Sequence, residues 1–222
     1  RAIVRTPGES MQQGLTSAHL GLPDYQQALI QHKEYIRALE QCGLDVQILD
    51  KDERYPDSCF IEDIALLTKE CAIITNPGAP SRQGETLGIR HVLEEHYTHI
   101  EEICEPGTVE AGDIMMVGSH FYIGLSARTN AEGAQQMIAF LEKYGLRGSV
   151  VELEHVLHLK TGVAYLEHNN LLACGEFLTK PEFQEFNILE IDASESYAAN
   201  CIWVNDTVLI PTGYPKARHT IQ

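Results

Sequence analysis

The 222-residue sequence lacks the features of a membrane-embedded or exported protein. It contains no run of about 18 consecutive apolar residues, the length that a transmembrane helix requires. Its first residues, RAIVRTPGES, have neither the long apolar segment nor the small-residue cleavage site of a secretory signal peptide. The sequence also begins without a methionine, so we expect its natural start to lie upstream. We therefore expect a cytoplasmic protein with no membrane partner.

Basic residues are scarce. Sixteen Lys and Arg stand against 32 Asp and Glu, which gives a formal net charge of −16. Binding to a phosphate backbone needs a basic face, so nucleic acid is excluded as a partner. An acidic cleft would concentrate a small cationic substrate. Acidic residues also serve solubility alone, and the charge by itself leaves the two interpretations open.

Cofactor and disulfide motifs are missing as well. The six cysteines never form C-x-x-C, and most of them lie in apolar segments, which favours reduced, buried thiols over a disulfide framework. No phosphate loop, dinucleotide fingerprint or H-E-x-x-H motif occurs. His91 and His96 are five residues apart, a spacing that does not align two ligands on one face of a helix. We expect neither a cofactor nor a metal ion.

The pattern that is present is a repeat. Residues 2–5 and 45–50 are predicted strands that flank an amphipathic helix over residues 24–42, which Gly43 ends. A strand–turn–strand–helix order then recurs about every 45–50 residues, with helices near 85–97 and 131–144. Hairpin turns are predicted at Gly118-Ser119 and Asn205-Asp206. A fourth, poorer copy covers residues 162–186.

Such units cannot bury their sheets alone, so we expect them to pack around a shared centre. The first unit covers residues 1–50, and the others begin near residues 57, 107, 155 and 198. The predicted fold is therefore an α/β-propeller, a single domain over residues 1–222. Five pseudosymmetric ββαβ units would surround a central funnel, with the last unit truncated.

Polar side chains stand near the start of the later units. If the units are radial, these positions converge on one mouth, where carboxylates and an imidazole are candidate acid–base groups. The alternative is that each carboxylate is a solvated turn residue and that the histidine is structural. The residues concerned are Asp57, Glu62, Asp63, Glu110, Asp113, His158 and Asn200.

Eight segments along the whole sequence resemble the bacterial dimethylarginine dimethylaminohydrolases, which belong to the guanidino-group-modifying superfamily with five-fold α/β-propeller folds. TSAHLG, SARTNAEG and the combination of HLKTG with AANCIW point to the dimethylarginine branch, whereas VEAGDIM is shared with arginine deiminases and amidinotransferases. The segments are VRTP (4–7), GLTSAHLG (14–21), PDSCFIED (56–63), CAIITNPGAPSRQGET (71–86), EPGTVEAGDIMMVG (105–118), SARTNAEGA (126–134), HLKTGVAYLEHNNLLA (158–173) and SYAANCIWVN (196–205).

The resemblance implies a role for each of several residues. His158 is implied as the general acid and base, and Glu110 as its orienting partner. Asp63 would grip the substrate guanidinium, with Glu62 beside it. The remaining roles fall to Asp57 and the Leu15 carbonyl for the substrate ammonium, Arg82 and Arg128 for its carboxylate, and Phe60 as a wall of the pocket.

The resemblance also selects among the three histidines of residues 155–174. His158 opens the matching motif. His155 is predicted on a strand surface, His168 in a hairpin turn, and Cys174 in the core. The implied reaction is hydrolysis of asymmetric dimethylarginine to citrulline and dimethylamine through a covalent cysteine–thiouronium intermediate.

The implied nucleophile is a cysteine in a C-terminal segment, and none of the six cysteines matches its motif. We expect it beyond Gln222, so that the 222-residue polypeptide alone would be inactive. Two other functions stay open: an arginine deiminase-like hydrolase, and a non-catalytic binder of arginine or methylarginine. The sequence is compatible with a homodimer.

Overall fold

The first unit consists of two parallel strands joined by a long helix. A computed structural model describes residues 1–16 and 20–222 of the chain. Strand β1 (Ala2–Arg5) pairs with β2 (Val46–Leu49), and helix α1 (Tyr25–Gln41) connects them. The Asp24 side chain accepts the Gln27 N–H at the start of the helix, and Gly43 follows its end with φ of +83°. The predicted strands, helix and stop signal are confirmed.

In the part of the chain that the structure describes, the remaining strands are four hairpins, each with helical residues after it, and three single strands that follow those helical residues. The strands are β3 (Ala65–Leu67), β4 (Ala72–Ile74), β5 (Ile100–Glu102), β6 (Ile114–Val117), β7 (His120–Leu125), β8 (Arg147–Glu152), β9 (Val163–Tyr165), β10 (Asn170–Ala173), β11 (Asn187–Glu190), β12 (Ile202–Val204) and β13 (Thr207–Leu209). The α-helices after α1 are α2 (Ile89–Glu94), α3 (Ala131–Lys143), α4 (Leu159–Gly162) and α5 (Pro215–Ile221).

Within the described residues these strands form five small sheets with a common plan. In the sheets β3–β4–β5, β6–β7–β8 and β9–β10–β11, the first two strands form an antiparallel hairpin and the third lies parallel to the second. The pair β12–β13 is an antiparallel hairpin, whereas β1–β2 is a parallel pair. The α/β class that the sequence predicts is confirmed.

The hairpin turns lie where the sequence places them. Gly118 has φ of +59° between β6 and β7, a conformation that glycine adopts without a steric penalty. Asn205 and Asp206 have φ of 45° and 64° between β12 and β13, as two-residue hairpin turns require. His168 lies in the β9–β10 turn with φ of 51°, and it is exposed. These turn predictions are confirmed.

Three local predictions differ from the structure. The helix expected near 85–97 is a 3₁₀ helix at Gln83–Gly88 followed by the short α2, because two glycines weaken this segment as an α-helix. The fourth unit has 3₁₀ turns at Gly175–Leu178 and Pro181–Phe183 in place of an α-helix. His155 does not lie on a strand: β8 ends at Glu152, and His155 is exposed in the loop that follows.

The core lies between each sheet and its helices. Around α3, for example, Phe121, Ile123, Met137 and Leu141 are almost completely buried in one cluster. All six cysteines are free thiols, and Cys174 is buried as expected. Within the described residues, no helix combines the length and the apolarity that a membrane crossing requires.

A short helical turn precedes the first strand of each three-stranded sheet. These turns are the 3₁₀ helices Ile61–Ile64 before β3 and Ala111–Asp113 before β6, and helix α4 before β9. The first two turns lie against each other, and α4 lies against the second. Polar side chains on the three turns are therefore close together in space, although up to about 100 residues separate them in sequence.

Candidate active site

Two carboxylates and one imidazole converge at this meeting point. Asp63 lies in the turn before β3, Glu110 precedes the turn before β6, and His158 precedes α4. Their ligand-type atoms all lie within 4.8 Å of one another. Asp63 and Glu110 are buried, and the His158 side chain is 14% exposed. The structure thus brings together three of the residues that the sequence singled out.

His158 lies between two carboxylates. Its Nε2 is 3.4 Å from Oε2 of Glu110, and its Nδ1 is 3.4 Å from Oδ1 of Asp113. Burial acts to lower the pKa of His158, but the contact with Asp113 and the charges of Asp113, Asp63 and Glu110 raise it above its usual value. The protonated imidazolium is therefore favoured, as expected of a group that delivers a proton.

Asp63 is fixed by backbone contacts. Its Oδ1 accepts the Gly112 N–H at 2.8 Å, and its carbonyl accepts the Thr75 hydroxyl at 2.7 Å. A Cβ atom at Gly112 would lie 2.7 Å from Asp63 Oδ1 and 3.2 Å from the His158 ring. Glycine is therefore required here because the backbone approaches both functional side chains too closely for any other residue.

The buried guanidinium of Arg82 lies among the carboxylates. Its Nη1 donates to Asp63 Oδ2 at 2.6 Å and is 3.7 Å from Glu110 Oε2. Its Nε and Nη2 donate to Glu85 at 3.1 and 2.8 Å, and Nη2 also donates to the Phe60 carbonyl. Burial disfavours the charge, yet the contacts with Glu85 and Asp63 keep the pKa of Arg82 above its usual value.

Arg128 approaches Glu110 from the other side. Its Nη1 is 3.3 Å from Oε1 of Glu110, and that oxygen also accepts the Ala79 N–H at 3.1 Å. The two arginines that the family resemblance pairs therefore meet at one fully buried carboxylate. Their role toward a substrate carboxylate stays a prediction.

The remaining site residues line the approach. Asp57 is buried and accepts the Leu15 N–H at 3.1 and 3.2 Å, which ties the loop after residue 13 to the pocket. Leu15 and Phe60 are 51% and 58% exposed. Glu62 is exposed and accepts a 2.5 Å hydrogen bond from Lys160. Residues 17–19 of the motif at 14–21 lie outside the described residues.

A cavity of about 520 Å³ adjoins the cluster. Strands β1, β3 and β12 supply apolar walls, and the polar lining includes Glu62, Lys160 and Cys59. Phe60 and Ala111 extend the lining toward the buried carboxylates. The cavity therefore borders chain neighbours of the site residues, while Asp63, Glu110 and His158 are not among its lining residues.

Two carboxylates and an imidazole at this spacing could also serve as the ligands of a metal cation. The cation that the described residues hold there is instead the Arg82 guanidinium, with Nη1 on Asp63 and the opposite edge on Glu85. A planar, multidentate set of acceptors suits a guanidinium better than a spherical ion. The geometry therefore points to guanidinium chemistry.

Sequence reasoning missed Glu85, and it counted Asp113 only among the converging acid–base candidates, without a specific role. Glu85 stands three residues after Arg82, an i,i+3 pairing that in a polar loop resembles an ordinary surface ion pair. Asp113 ends the VEAGD motif and is completely buried. Burial of an acidic side chain next to a site residue was the missing signal, and only the structure provides it.

Comparison with known proteins identifies relatives of this chain. The family model described as N,N dimethylarginine dimethylhydrolase, eukaryotic, matches residues 21–184. The chain is 66% identical over 220 residues to the N(G),N(G)-dimethylarginine dimethylaminohydrolase of Pseudomonas aeruginosa, which covers 99% of this chain and 87% of that protein.

Two solved structures are similar over 99% of this chain. One is a cysteine-to-serine mutant of the Pseudomonas aeruginosa enzyme complexed with citrulline, with a TM-score of 0.98, 66% identity and 86% of its length covered. The other is a histidine-to-glycine variant of a dimethylarginine dimethylaminohydrolase, an adduct with S-methyl-L-thiocitrulline. Its TM-score is 0.97, with 65% identity and 87% of its length covered.

Proposed function

The chain belongs to the dimethylarginine dimethylaminohydrolase family, and from that membership we propose that it hydrolyses asymmetric dimethylarginine to citrulline and dimethylamine. The observation that carries the proposal is the guanidinium of Arg82 seated on Asp63, beside Glu110 and His158. The same acceptors would hold the guanidinium of a substrate. The relatives with citrulline and with a thiocitrulline adduct support a guanidino amino acid as the ligand.

Substrate binding would follow from the charges. Asp63, with Glu62 beside it, would keep the substrate guanidinium cationic and oriented, and Asp57 with the Leu15 carbonyl would hold its ammonium. Arg82 and Arg128 would bind its carboxylate through planar donors. Arg82 would have to release Asp63 for this, and its contacts with Glu85 would keep it anchored meanwhile. Phe60 would form one wall.

The chemistry would proceed in two steps. A thiolate attacks the central guanidinium carbon, and the tetrahedral adduct collapses as His158 protonates the departing dimethylamine. The product is a covalent thiouronium. His158, now neutral, takes a proton from water, and the resulting hydroxide attacks the same carbon. The C–S bond then breaks to release citrulline and restore the thiolate, while the proton of the adduct's hydroxyl group leaves to the released dimethylamine. Glu110 lies 3.4 Å from Nε2 of His158 in the unliganded site.

The nucleophile is not among the six cysteines, in our proposal. Cys59 is the one that lines the cavity beside the site, but burial and the charge of Asp57 raise its pKa to about 11. Burial raises the pKa of Cys201 to about 12. A thiol with such a pKa carries almost no thiolate at neutral pH, and the thiolate is the attacking form. A cysteine beyond Gln222 is the candidate.

The sheet pattern supports that location and a five-fold α/β-propeller. The five sheets share one plan, but within the described residues β1–β2 has no antiparallel first strand and β12–β13 has no parallel third strand. One further strand beside each would complete five equivalent units. The cavity of about 520 Å³ borders both β1 and β12, so a strand entering there would reach the site.

The deciding experiment assays the complete gene product. Citrulline and dimethylamine should be released in equal amounts from asymmetric dimethylarginine. Turnover of unmethylated arginine alone would instead make the protein a deiminase-like hydrolase, and binding without turnover would make it a non-catalytic binder. Calorimetry on the 222-residue polypeptide would separate binding from turnover; that this polypeptide alone is inactive stays a prediction.

The remaining expectations from the sequence also stay predictions. We propose that residues 1–222 act as one domain, that the protein works in the cytoplasm, and that it forms a homodimer. Sedimentation equilibrium on the complete gene product tests the last of these. A mass equal to a single chain across the measured concentrations would contradict it.

A further inference from the structure

We propose that Asp113 is the positioning residue of His158, and that it holds the Nδ1 edge of the imidazole so that Nε2 faces the reaction. This inference rests on the proposed hydrolase function and adds a residue to it. The family resemblance assigns the orienting role to Glu110. In the structure Glu110 and Asp113 lie on opposite nitrogens of the ring, so the two carboxylates have different tasks.

One oxygen of Asp113 holds the histidine at two points. Oδ1 lies 3.4 Å from His158 Nδ1 and accepts the Leu159 N–H at 3.0 Å. The buried Nδ1 atom makes no hydrogen bond of normal geometry within the described residues, so its 3.4 Å approach to Asp113 is an ion-pair contact. A carboxylate that accepts the next backbone amide and faces Nδ1 at this distance limits the rotation of the imidazole. Such bonds are often long in an unliganded site and shorten when the substrate binds.

The other oxygen fixes Asp113 itself. Oδ2 accepts the hydroxyls of Ser126 and Thr129, each at 2.7 Å. Asp113 is completely buried, and a buried carboxylate is stable only when donors satisfy it. The Ser126 and Thr129 hydroxyls and the Leu159 N–H all donate to it, so both of its oxygens act as acceptors. The residue is therefore held rigidly beside Nδ1.

The same hydroxyls connect Asp113 to the other site residues. Ser126 Oγ accepts the Arg128 N–H at 2.9 Å, and Thr129 Oγ1 accepts the Glu110 N–H at 3.1 Å. Asp113 thus joins the backbones that carry Arg128, Glu110 and the residue after His158. A single buried carboxylate sets the relative positions of three functional side chains.

The consequence for the reaction is the choice of tautomer. With Nδ1–H directed to Asp113, the neutral ring presents its lone pair at Nε2, toward Glu110 and the guanidinium position. Three carboxylates face the ring: Asp113 at Nδ1, Glu110 at Nε2, and Asp63 from the turn before β3. Lys160 on α4 is paired with Glu62, and the two arginines contact Glu110. A buried aspartate that fixes a catalytic histidine in this way is known from hydrolase triads.

The test is Asp113→Asn in the complete gene product. The amide keeps the size of the side chain but removes its negative charge. Unlike the carboxylate, it can also present an NH₂ group to Nδ1 in place of an acceptor oxygen. We expect kcat to fall about 10⁴-fold, as in an equivalent triad substitution, while KM changes by less than about threefold. The pKa of His158 in the pH–rate profile should shift to lower pH, because Asp113 is a carboxylate that raises it. Unchanged kcat and an unchanged profile would overturn the inference.

A matched control separates positioning from a loss of stability. Thr68 is buried in the β3–β4 turn, far from His158 in the chain. Its hydroxyl donates to the Cys71 carbonyl and accepts the Cys71 N–H. Thr68→Val should lower the melting temperature without moving the pH–rate profile. If both variants shift the profile equally, Asp113 has no specific relation to His158 and the inference fails.

A measurement on the unmodified protein covers the case in which Asp113→Asn does not fold. Nitrogen NMR on histidine-labelled protein reports which ring nitrogen of His158 carries the proton. We expect Nδ1–H for the neutral ring, and a ring protonated at Nε2 would overturn the inference. This readout needs no turnover. If the unmodified protein releases no citrulline, the proposed function fails. The NMR measurement of the His158 tautomer then still tests the role of Asp113.

Discussion

Arg82 donates from Nη1 to Asp63 at 2.6 Å, so a guanidinium of the protein itself lies on the carboxylate that we propose for the substrate. Glu85 holds the opposite edge of the same guanidinium. In the unliganded chain Arg82 therefore neutralises a buried cluster of acidic side chains. Substrate binding then becomes an exchange of one guanidinium for another, with Glu85 as the contact that Arg82 keeps.

The first prediction concerns stability. Arg82→Met leaves Asp63 and Glu85 buried without their cation, and loss of one partner of a buried pair lowers the free energy of unfolding by about 3–5 kcal/mol. Urea denaturation of the two proteins measures the difference. Arg90→Met is the matched control, because Arg90 pairs with Glu102 at the surface. That change should lower the free energy of unfolding by about 0–1 kcal/mol. Equal effects of the two substitutions on the free energy of unfolding would contradict the role of Arg82 as the cation of these buried carboxylates.

The second prediction concerns the close approach of the backbone at Gly112. A methyl group there would meet Asp63 Oδ1 at 2.7 Å and the His158 ring at 3.2 Å, so both side chains must move. Displacement of reacting groups by about 1 Å lowers activity by about 100-fold, so we expect Gly112→Ala to reduce kcat/KM to that extent. Citrulline release by the complete gene product measures it.

Gly88 provides the control for that substitution. It precedes α2 with φ of −100°, and an added Cβ would meet nothing within 4 Å. Gly88→Ala should leave kcat/KM unchanged. A loss at Gly88 as large as that at Gly112 would mean that the effect does not come from contact with Asp63 and His158.

Much of the local structure could be predicted because it depends on neighbouring residues. The helix after Asp24, its end at Gly43 and the turn at Asn205-Asp206 each follow from capping or turn chemistry. The convergence of Asp63, Glu110 and His158 could also be predicted from the sequence, since each precedes the first strand of a repeated unit. A repeat places equivalent positions at the same end of the fold.

Other features depend on packing between distant segments. Arg82 points inward because Asp63, 19 residues earlier, and the Phe60 carbonyl accept its hydrogen bonds. The family resemblance gave Arg82 a substrate carboxylate as its partner, and nothing in the loop sequence PSRQGE indicated these inward contacts. Asp113 is similar: its partners Ser126 and Leu159 lie 13 and 46 residues further along the chain. No local pattern carries this information, and therefore the sequence could place the site but not its supporting contacts.

The third prediction concerns the cysteines. The pKa of Cys59 is raised to about 11 and that of Cys201 to about 12, chiefly by burial, so neither thiol is ionised at neutral pH. Cys59→Ser and Cys201→Ser should therefore retain citrulline release in the complete gene product. Iodoacetamide should label the exposed Cys104 of the native protein well before these two. Loss of turnover in a folded Cys59→Ser variant would move the nucleophile into the described chain.

The fourth prediction concerns pH. The pKa of His158 is raised above 6.5 in the folded protein, where burial opposes the charge but Asp113 and the other carboxylates outweigh it. The folded state therefore binds the proton more tightly than the unfolded state does. The stabilisation is fully present below about pH 6.5, the unfolded pKa, and is lost as the pH rises through the folded pKa.

His158→Gln removes this contribution, and His155→Gln is its control, because His155 is exposed only three residues away. Urea denaturation of all three proteins across this pH range gives the free energy of unfolding at each pH. The difference between unmodified protein and His158→Gln should be largest at the acidic end and shrink as the pH rises, whereas the difference for His155→Gln should stay flat. A difference for His158→Gln that grows with pH would mean that the folded protein favours the neutral ring, and the proton-donor role proposed for His158 would lose its physical basis.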